Sequence, residues 1–236
     1  WYNDTGGTVT ATYAVEAYSS SETAGLTVEA ESSVPPTGYT CVDAIDVSSL
    51  TGPWTGSLAD YADMWDGSTG CGTAYGREVW FTATVPAGNV FTIEETSTTN
   101  VTIQRTGSCT TAYCDGYASS PELYSWYNDT GFAATIYLVV EGYSSTDTGS
   151  ITVEASNAPP PEGYTCLDAI DTASLSGAWT GDFGDYGDLW DGVSGCGTAY
   201  GADVWFAATV NAGDLFTIEE TGTTNVTVQM LTACGT

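Results

Sequence analysis

Two short acidic stretches hold the side chains best suited to binding chemistry. DYADMWDG places Asp60, Asp63 and Asp66 three apart, and DYGDLWDG repeats the pattern with Asp185, Asp188 and Asp191. A hard cation such as Ca2+ takes about six to eight oxygens from carboxylates and backbone carbonyls. A glycine-bounded acidic loop offers both kinds, so Ca2+ is one candidate ligand of these loops. The spacing is not that of an EF-hand, and the same residues also suit a solvated loop in which Asp side chains bond nearby amides.

Other residue types suggest surface chemistry rather than catalysis. Asn3, Asn100, Asn128 and Asn225 each begin an N-x-T sequon, the acceptor pattern for N-linked glycans. Trp65 and Trp190 follow the acidic pairs in polar loops, where an indole either stacks on a sugar ring or covers one end of a β-sandwich. Trp80 stands inside a strand and is expected to be packed. No histidine and no lysine are present, which removes Ser-His and Cys-His dyads and most lysine chemistry. Glu94 and Glu95 are strand neighbours that point to opposite faces, so they cannot flank one glycosidic bond. No catalytic residue is assigned, and the chain is not expected to be an enzyme.

The charge balance narrows the partners. Thirty Asp and Glu face two arginines, a formal net charge of −28. Such a polyanion is repelled by nucleic acid and by anionic membranes, and halophilic adaptation would also account for it. No apolar run approaches the eighteen or so residues of a membrane helix, so direct membrane contact is not expected. Aromatics at 12% and many β-branched residues separate the chain from a disordered acidic tail.

The elements that carry these residues come in repeats. A shift of 125 positions aligns the chain with itself without gaps, at about six identities in ten. WYNDTG at residues 1–6 returns at 126–131, and CGTAYGREVWF at 71–81 returns as CGTAYGADVWF at 196–206. A period this long denotes whole domains in tandem rather than a solenoid, whose units run to about 50 residues. Proline-rich junctions (VPPTG and APPPEG) delimit three parts: residues 1–31 as the C-terminal strands of a preceding repeat, 37–155 as one complete repeat, and 162–236 as the N-terminal part of a following one. The sequence reads as a window from a longer mature chain.

Period-two alternation marks the strands. In VWFTATV, Val79, Phe81, Ala83 and Val85 share one face; Phe91 with Ile93, and Val101 with Ile103, continue the pattern. Ile136, Leu138 and Val140 are expected to open a hairpin that returns with Ile151 and Val153. The fold class is all-β: tandem antiparallel β-sandwich domains stapled by disulfides. Seven cysteines in a Thr- and Gly-rich β sequence point to an oxidising compartment. Spacing suggests Cys41 with Cys71, Cys166 with Cys196 and Cys109 with Cys114, leaving Cys234 to a partner beyond the last residue.

The succession C-x-x-A-I, WTG, CG…DVWF…ATV-x-AG, a cysteine pair and YLVVEGYSSTDTGSITVEA resembles the bacterial pre-peptidase C-terminal (PPC-like) β-sandwich domain. The resemblance implies a secreted bacterial protein, a jelly-roll-like fold, and a place beside secreted enzymes or on surfaces; some members bind calcium or extracellular polymers. The 162–236 segment carries early strands without a final pair, and 1–31 carries a final pair without early strands. Completion is therefore expected from copies of the chain arranged head to tail in an open array, by covalent continuation or by β-strand donation. The expected function is a structural repeat module of an extracellular or cell-surface filament, adhesin or stalk, with glycans or polysaccharide as further partners. The alternative is a carbohydrate-binding accessory module of a secreted hydrolase.

Overall fold

The computed structural model describes all residues except 1, 4, 6, 23, 66–70, 73, 110–112, 191–200 and 235–236. The chain divides into two units, Trp1–Val34 and Pro35–Thr236.

In the larger unit, nine strands fall within one repeat: β1 (Ile45–Asp46), β2 (Trp54–Ser57), β3 (Glu78–Val85), β4 (Val90–Glu95), β5 (Val101–Thr106), β6 (Cys114–Ala118), β7 (Leu123–Tyr127), β8 (Ala134–Gly142) and β9 (Ser150–Ala158). They form two sheets, ordered β1-β3-β8-β5-β6 and β2-β9-β4-β7. Every pairing in these sheets is antiparallel except the two-residue contact of β1 with β3. Val79, Phe81, Val101, Ile103, Leu138 and Val140 of the first sheet meet Phe91, Ile93, Ile151 and Val153 of the second in one core. Burying each such side chain contributes roughly 1.5–3 kcal/mol, so this layer is the main source of stability.

The alternation predicts the faces well and the partners less well. β8 and β9 do not form the expected hairpin: β8 lies between β3 and β5, and β9 lies between β2 and β4 in the other sheet. Alternation places both strands' apolar residues inward but is silent on which sheet each strand joins. The connection turns through Ser144 and Asp147, whose carboxylate accepts from the Ser144 amide at 2.8 Å.

Cysteine pairing also differs from the spacing argument. The bridges are Cys41–Cys109, Cys71–Cys114 and Cys166–Cys234; Cys196 lies outside the described residues. Adjacency in sequence is a poor guide to connectivity when strands cross between sheets. Cys41 packs with Trp80 and Val139 on the outer face of the first sheet, and Cys109 packs against the same cluster. Gly72, beside Cys71, lies so close to Tyr117 that a Cβ there would sit 2.9 Å from its ring, which brings that loop to β6 and Cys114. Cys234 has its partner within the chain, and the bridge repeats the 68-residue separation of Cys41–Cys109. Three disulfides fit an oxidising compartment. Among the described residues no helix is long and apolar enough to cross a membrane.

The second copy of the repeat begins in the same way. Gly38 and Gly163 both adopt φ of +85°, and each carbonyl accepts from a tryptophan amide, Trp80 of β3 at 2.8 Å and its counterpart Trp205 at 2.9 Å. Trp54 meets Phe81 edge to face at 5.2 Å between ring centroids, and Trp179 meets Phe206 at the same 5.2 Å. Thereafter the two copies diverge. Only β10 (Ile170–Asp171) and β11 (Phe206–Ala207) form among the described residues of the second copy, and they pair with each other. Residues 215–220 and 226–231, counterparts of β4 and β5, carry no strand. The Trp1–Val34 unit likewise holds no strand among its described residues.

Candidate assembly surface

Residues 37–155 show which strands stand inside the two sheets. β8 supplies a pairing partner to both β3 and β5, with Phe81 opposite Leu138 and Ile103 opposite Val140. β9 does the same for β2 and β4, with Trp54 opposite Val153 and Ile93 opposite Ala155. These are the interior strands, whereas β6 and β7 stand at the sheet edges. Subtracting 125 maps β8 onto residues 9–17 and β9 onto residues 25–33. Their inward positions are therefore Tyr13, Val15, Leu26 and Val28.

Solvent exposure separates the copies sharply. Val15 is 61% exposed where Val140 is 0%, and Leu26 is 68% exposed where Ile151 is 1%. In the second copy Phe216 is 44% exposed where Phe91 is 1%, and Val210, Ile218 and Val228 are exposed where Val85, Ile93 and Ile103 are buried. Apolar side chains at these positions of both segments are therefore open to solvent, unlike their counterparts in residues 37–155.

Asn128 fastens the loop before β8 to the end of β3, and the sequon reading missed it. Its side-chain amide donates to the Val85 carbonyl at 2.8 Å and to the Phe132 carbonyl at 2.9 Å, while its Oδ1 accepts from the Thr130 amide and hydroxyl. The residue is fully buried, so a glycan on Asn128 would block the fold. Asn3 builds the same loop by itself: its amide donates to Gly7, and its Oδ1 accepts from the Thr5 amide and hydroxyl. The recurrence of WYNDTG was the available signal. Asn100 and Asn225 are exposed.

A second buried polar group lies on the outer face of the first sheet. Glu78 and Glu141 are cross-strand partners, and both are buried. Glu141 accepts from the Gln104 amide at 2.8 Å, and Glu78 accepts from the Met64 amide. Asp203 replaces Glu78 in the second copy and accepts from the Leu189 and Trp190 amides. Glu16 and Gln229 replace Glu141 and Gln104. Strand alternation marks Gln104 as outward-facing; the loop carrying Trp65 covers that face, which local pattern does not reveal.

The other predicted sites are distributed as follows. Asp60 and Asp63 are exposed, as is Asp185, and Asp188 is also at the surface. Asp66 and Asp191 lie outside the described residues. No group of three acidic, histidine or cysteine side chains gathers to hold a metal among the described residues. Trp65 is half-buried and stands nearly perpendicular to Trp80, with 5.3 Å between ring centroids; Trp190 meets Trp205 at the same distance with an interplanar angle of 60°. Glu94 is exposed, whereas Glu95 is buried and accepts from the Ser97 and Thr152 amides, on opposite faces as alternation requires.

Tyrosines tie the proline-rich junctions to each repeat. Tyr61 donates its hydroxyl to the Thr37 carbonyl at 3.0 Å, and Tyr186 donates to Glu162 at 3.1 Å. Burial pushes the Tyr61 hydroxyl above the ordinary phenol range, with Asp60 and Asp43 adding to the shift. Tyr164 is raised by burial and then by Tyr127, the ring it meets at 5.7 Å where the two copies touch.

Set beside known proteins, the chain matches no family model, no curated protein and no solved structure.

Proposed function

We propose that this chain is a structural repeat module of an extracellular bacterial filament, adhesin or stalk, built from tandem jelly-roll-like sandwiches that join head to tail. The observation that carries this reading is the paired exposure: apolar positions of residues 9–33 and of 204–231 are open to solvent, while their counterparts pack together inside the complete repeat. A surface of that kind is sticky in isolation and is stabilised by a partner. Because the two halves are different, the contact is heterologous and propagates in one direction unless it closes into a ring. Disulfides and proline-rich junctions suit a load-bearing extracellular element. The high negative charge keeps such an array solvated and separate from its neighbours.

Sedimentation and electron microscopy of the full chain over a concentration series test this. Linear arrays that lengthen with concentration are expected. Compact monomers at every concentration would overturn the proposal. The packing of Trp65 on Trp80 lends nothing to a carbohydrate-binding role.

A further inference from the structure

We infer that the junction between residues 37–155 and the second copy is a rigid joint, in which Tyr164, seated against Tyr127, fixes the angle between the two. The joint lies within one chain and is independent of the head-to-tail reading.

The covalent connection is short and stiff. β9 keeps its ladder to β4 as far as Ala158, which stands opposite Val90. Pro159, Pro160 and Pro161 follow. Each proline ring restricts its own φ, so the run is held extended. The chain is fastened again at Gly163, whose amide donates to the Asp168 carbonyl at 2.7 Å and whose carbonyl accepts from the Trp205 amide at 2.9 Å. Two further bonds hold the segment itself: the Tyr164 amide donates to the Pro161 carbonyl at 3.2 Å, and the Tyr186 hydroxyl donates to the Glu162 carbonyl at 3.1 Å.

A stiff strap alone would still let the second copy swing about it. The Tyr127 contact opposes that swing, because it lies to one side of the strap. Tyr127 ends β7, and β4 separates β7 from β9. The ring contact and the chain connection thus stand two strand spacings apart, roughly 9–10 Å. Two attachments at that separation restrain rotation as well as bending.

Tyr164 is held from both sides. It is 4% exposed, meets Tyr127 at 5.7 Å between ring centroids and stacks on Tyr186 at 6.2 Å. Gly187 comes so close that a Cβ there would lie 2.6 Å from the Tyr164 hydroxyl oxygen. Tyr186 in turn meets Trp179, which meets Phe206 of β11. A row of rings therefore runs from β7 of the first sandwich to the strand pair of the second copy, and a shift at Tyr164 disturbs every contact along it.

Distances between two spin labels test the joint. Labels on ketone-bearing residues introduced at Thr84 and Ala173, both exposed, spare the native cysteines. The doubly labelled full chain is diluted into excess unlabelled chain, so that only distances within one chain are read. The parent should give a single narrow distribution. Tyr164→Ala and Tyr127→Ala should each broaden it about twofold or more, whereas Tyr127→Phe keeps the ring contact and should match the parent. Tyr164 lies outside the sheets of residues 37–155, so its replacement decides the matter even where Tyr127→Ala disturbs β7. A parent distribution as broad as that of Tyr164→Ala, or a Tyr164→Ala distribution as narrow as the parent's, would overturn the joint.

Discussion

Asn128 and Val85 are joined by a side-chain amide to backbone carbonyl bond of 2.8 Å, and that bond fastens the entry of β8 to the end of β3. Because the Phe132 carbonyl takes the other amide proton, replacing Asn128 by Ala leaves the buried Val85 carbonyl and the partly buried Phe132 carbonyl without their donor. Thermal or urea unfolding should show a loss of about 2–4 kcal/mol. Asn3→Ala should leave that transition unchanged and instead raise the concentration at which arrays form. Equal effects of the two substitutions on monomer stability would contradict the distinct roles assigned to these loops.

On the proposed head-to-tail reading, charge at the apolar positions of residues 25–33 should stop assembly without unfolding the 37–155 repeat. Leu26→Asp or Val28→Asp places a carboxylate where Ile151 and Val153 have 1% exposure. A buried unpaired carboxylate is strongly unfavourable, and the cost falls only on the contact between copies. Sedimentation should show monomers, with the far-ultraviolet dichroism of the parent. The control Thr27→Asp lies on the opposite face of the same strand and should assemble at near-parental concentration.

The cross-connected disulfides make a clear mapping prediction. Digestion without reduction should release a peptide pair containing Cys41 and Cys109, and another containing Cys166 and Cys234. Each closes a loop of 68 residues, so loss of one bridge should cost about 4 kcal/mol in the chain-entropy model. A Cys41–Cys71 peptide would restore the pairing suggested by spacing.

Alkaline pH should loosen the repeat through its tyrosines. The Tyr61, Tyr124 and Tyr164 hydroxyls are all raised above the ordinary phenol value, chiefly by burial. The folded pKa exceeds the unfolded one, so the folded state favours the protonated phenol. That contribution is complete below about pH 10 and is lost as pH rises through the folded values. Phenolate absorbance and unfolding should therefore rise together above about pH 10. Tyr61→Phe should remove the bond to Thr37 at a cost of about 1 kcal/mol.

Much of the fold was legible in the residues, and the limits have physical causes. Alternation assigned Val79, Phe81, Val101, Ile103, Ile151 and Val153 to one core because inward and outward positions differ by solvent contact alone. It did not place β8 and β9 in different sheets, since strand pairing depends on partners distant in sequence. The repeat itself relates segments 1–31 and 162–236 to parts of 37–155. It also contained the Asn3 and Asn128 loops, but an N-x-T pattern reads the same whether its amide faces water or a buried carbonyl. Gln104 and Glu141 were invisible for a related reason: the loop that covers them is tertiary structure.

Hydrogen exchange of the full chain across a concentration series tests the central claim most directly. Amides of residues 9–17, 25–33, 204–210 and 226–231 should exchange quickly in dilute solution and become protected together as concentration rises, while β3, β4 and β5 remain protected throughout. Protection of residues 204–231 that is the same at the lowest and highest concentrations would show that the second repeat is complete without a partner and would contradict the account.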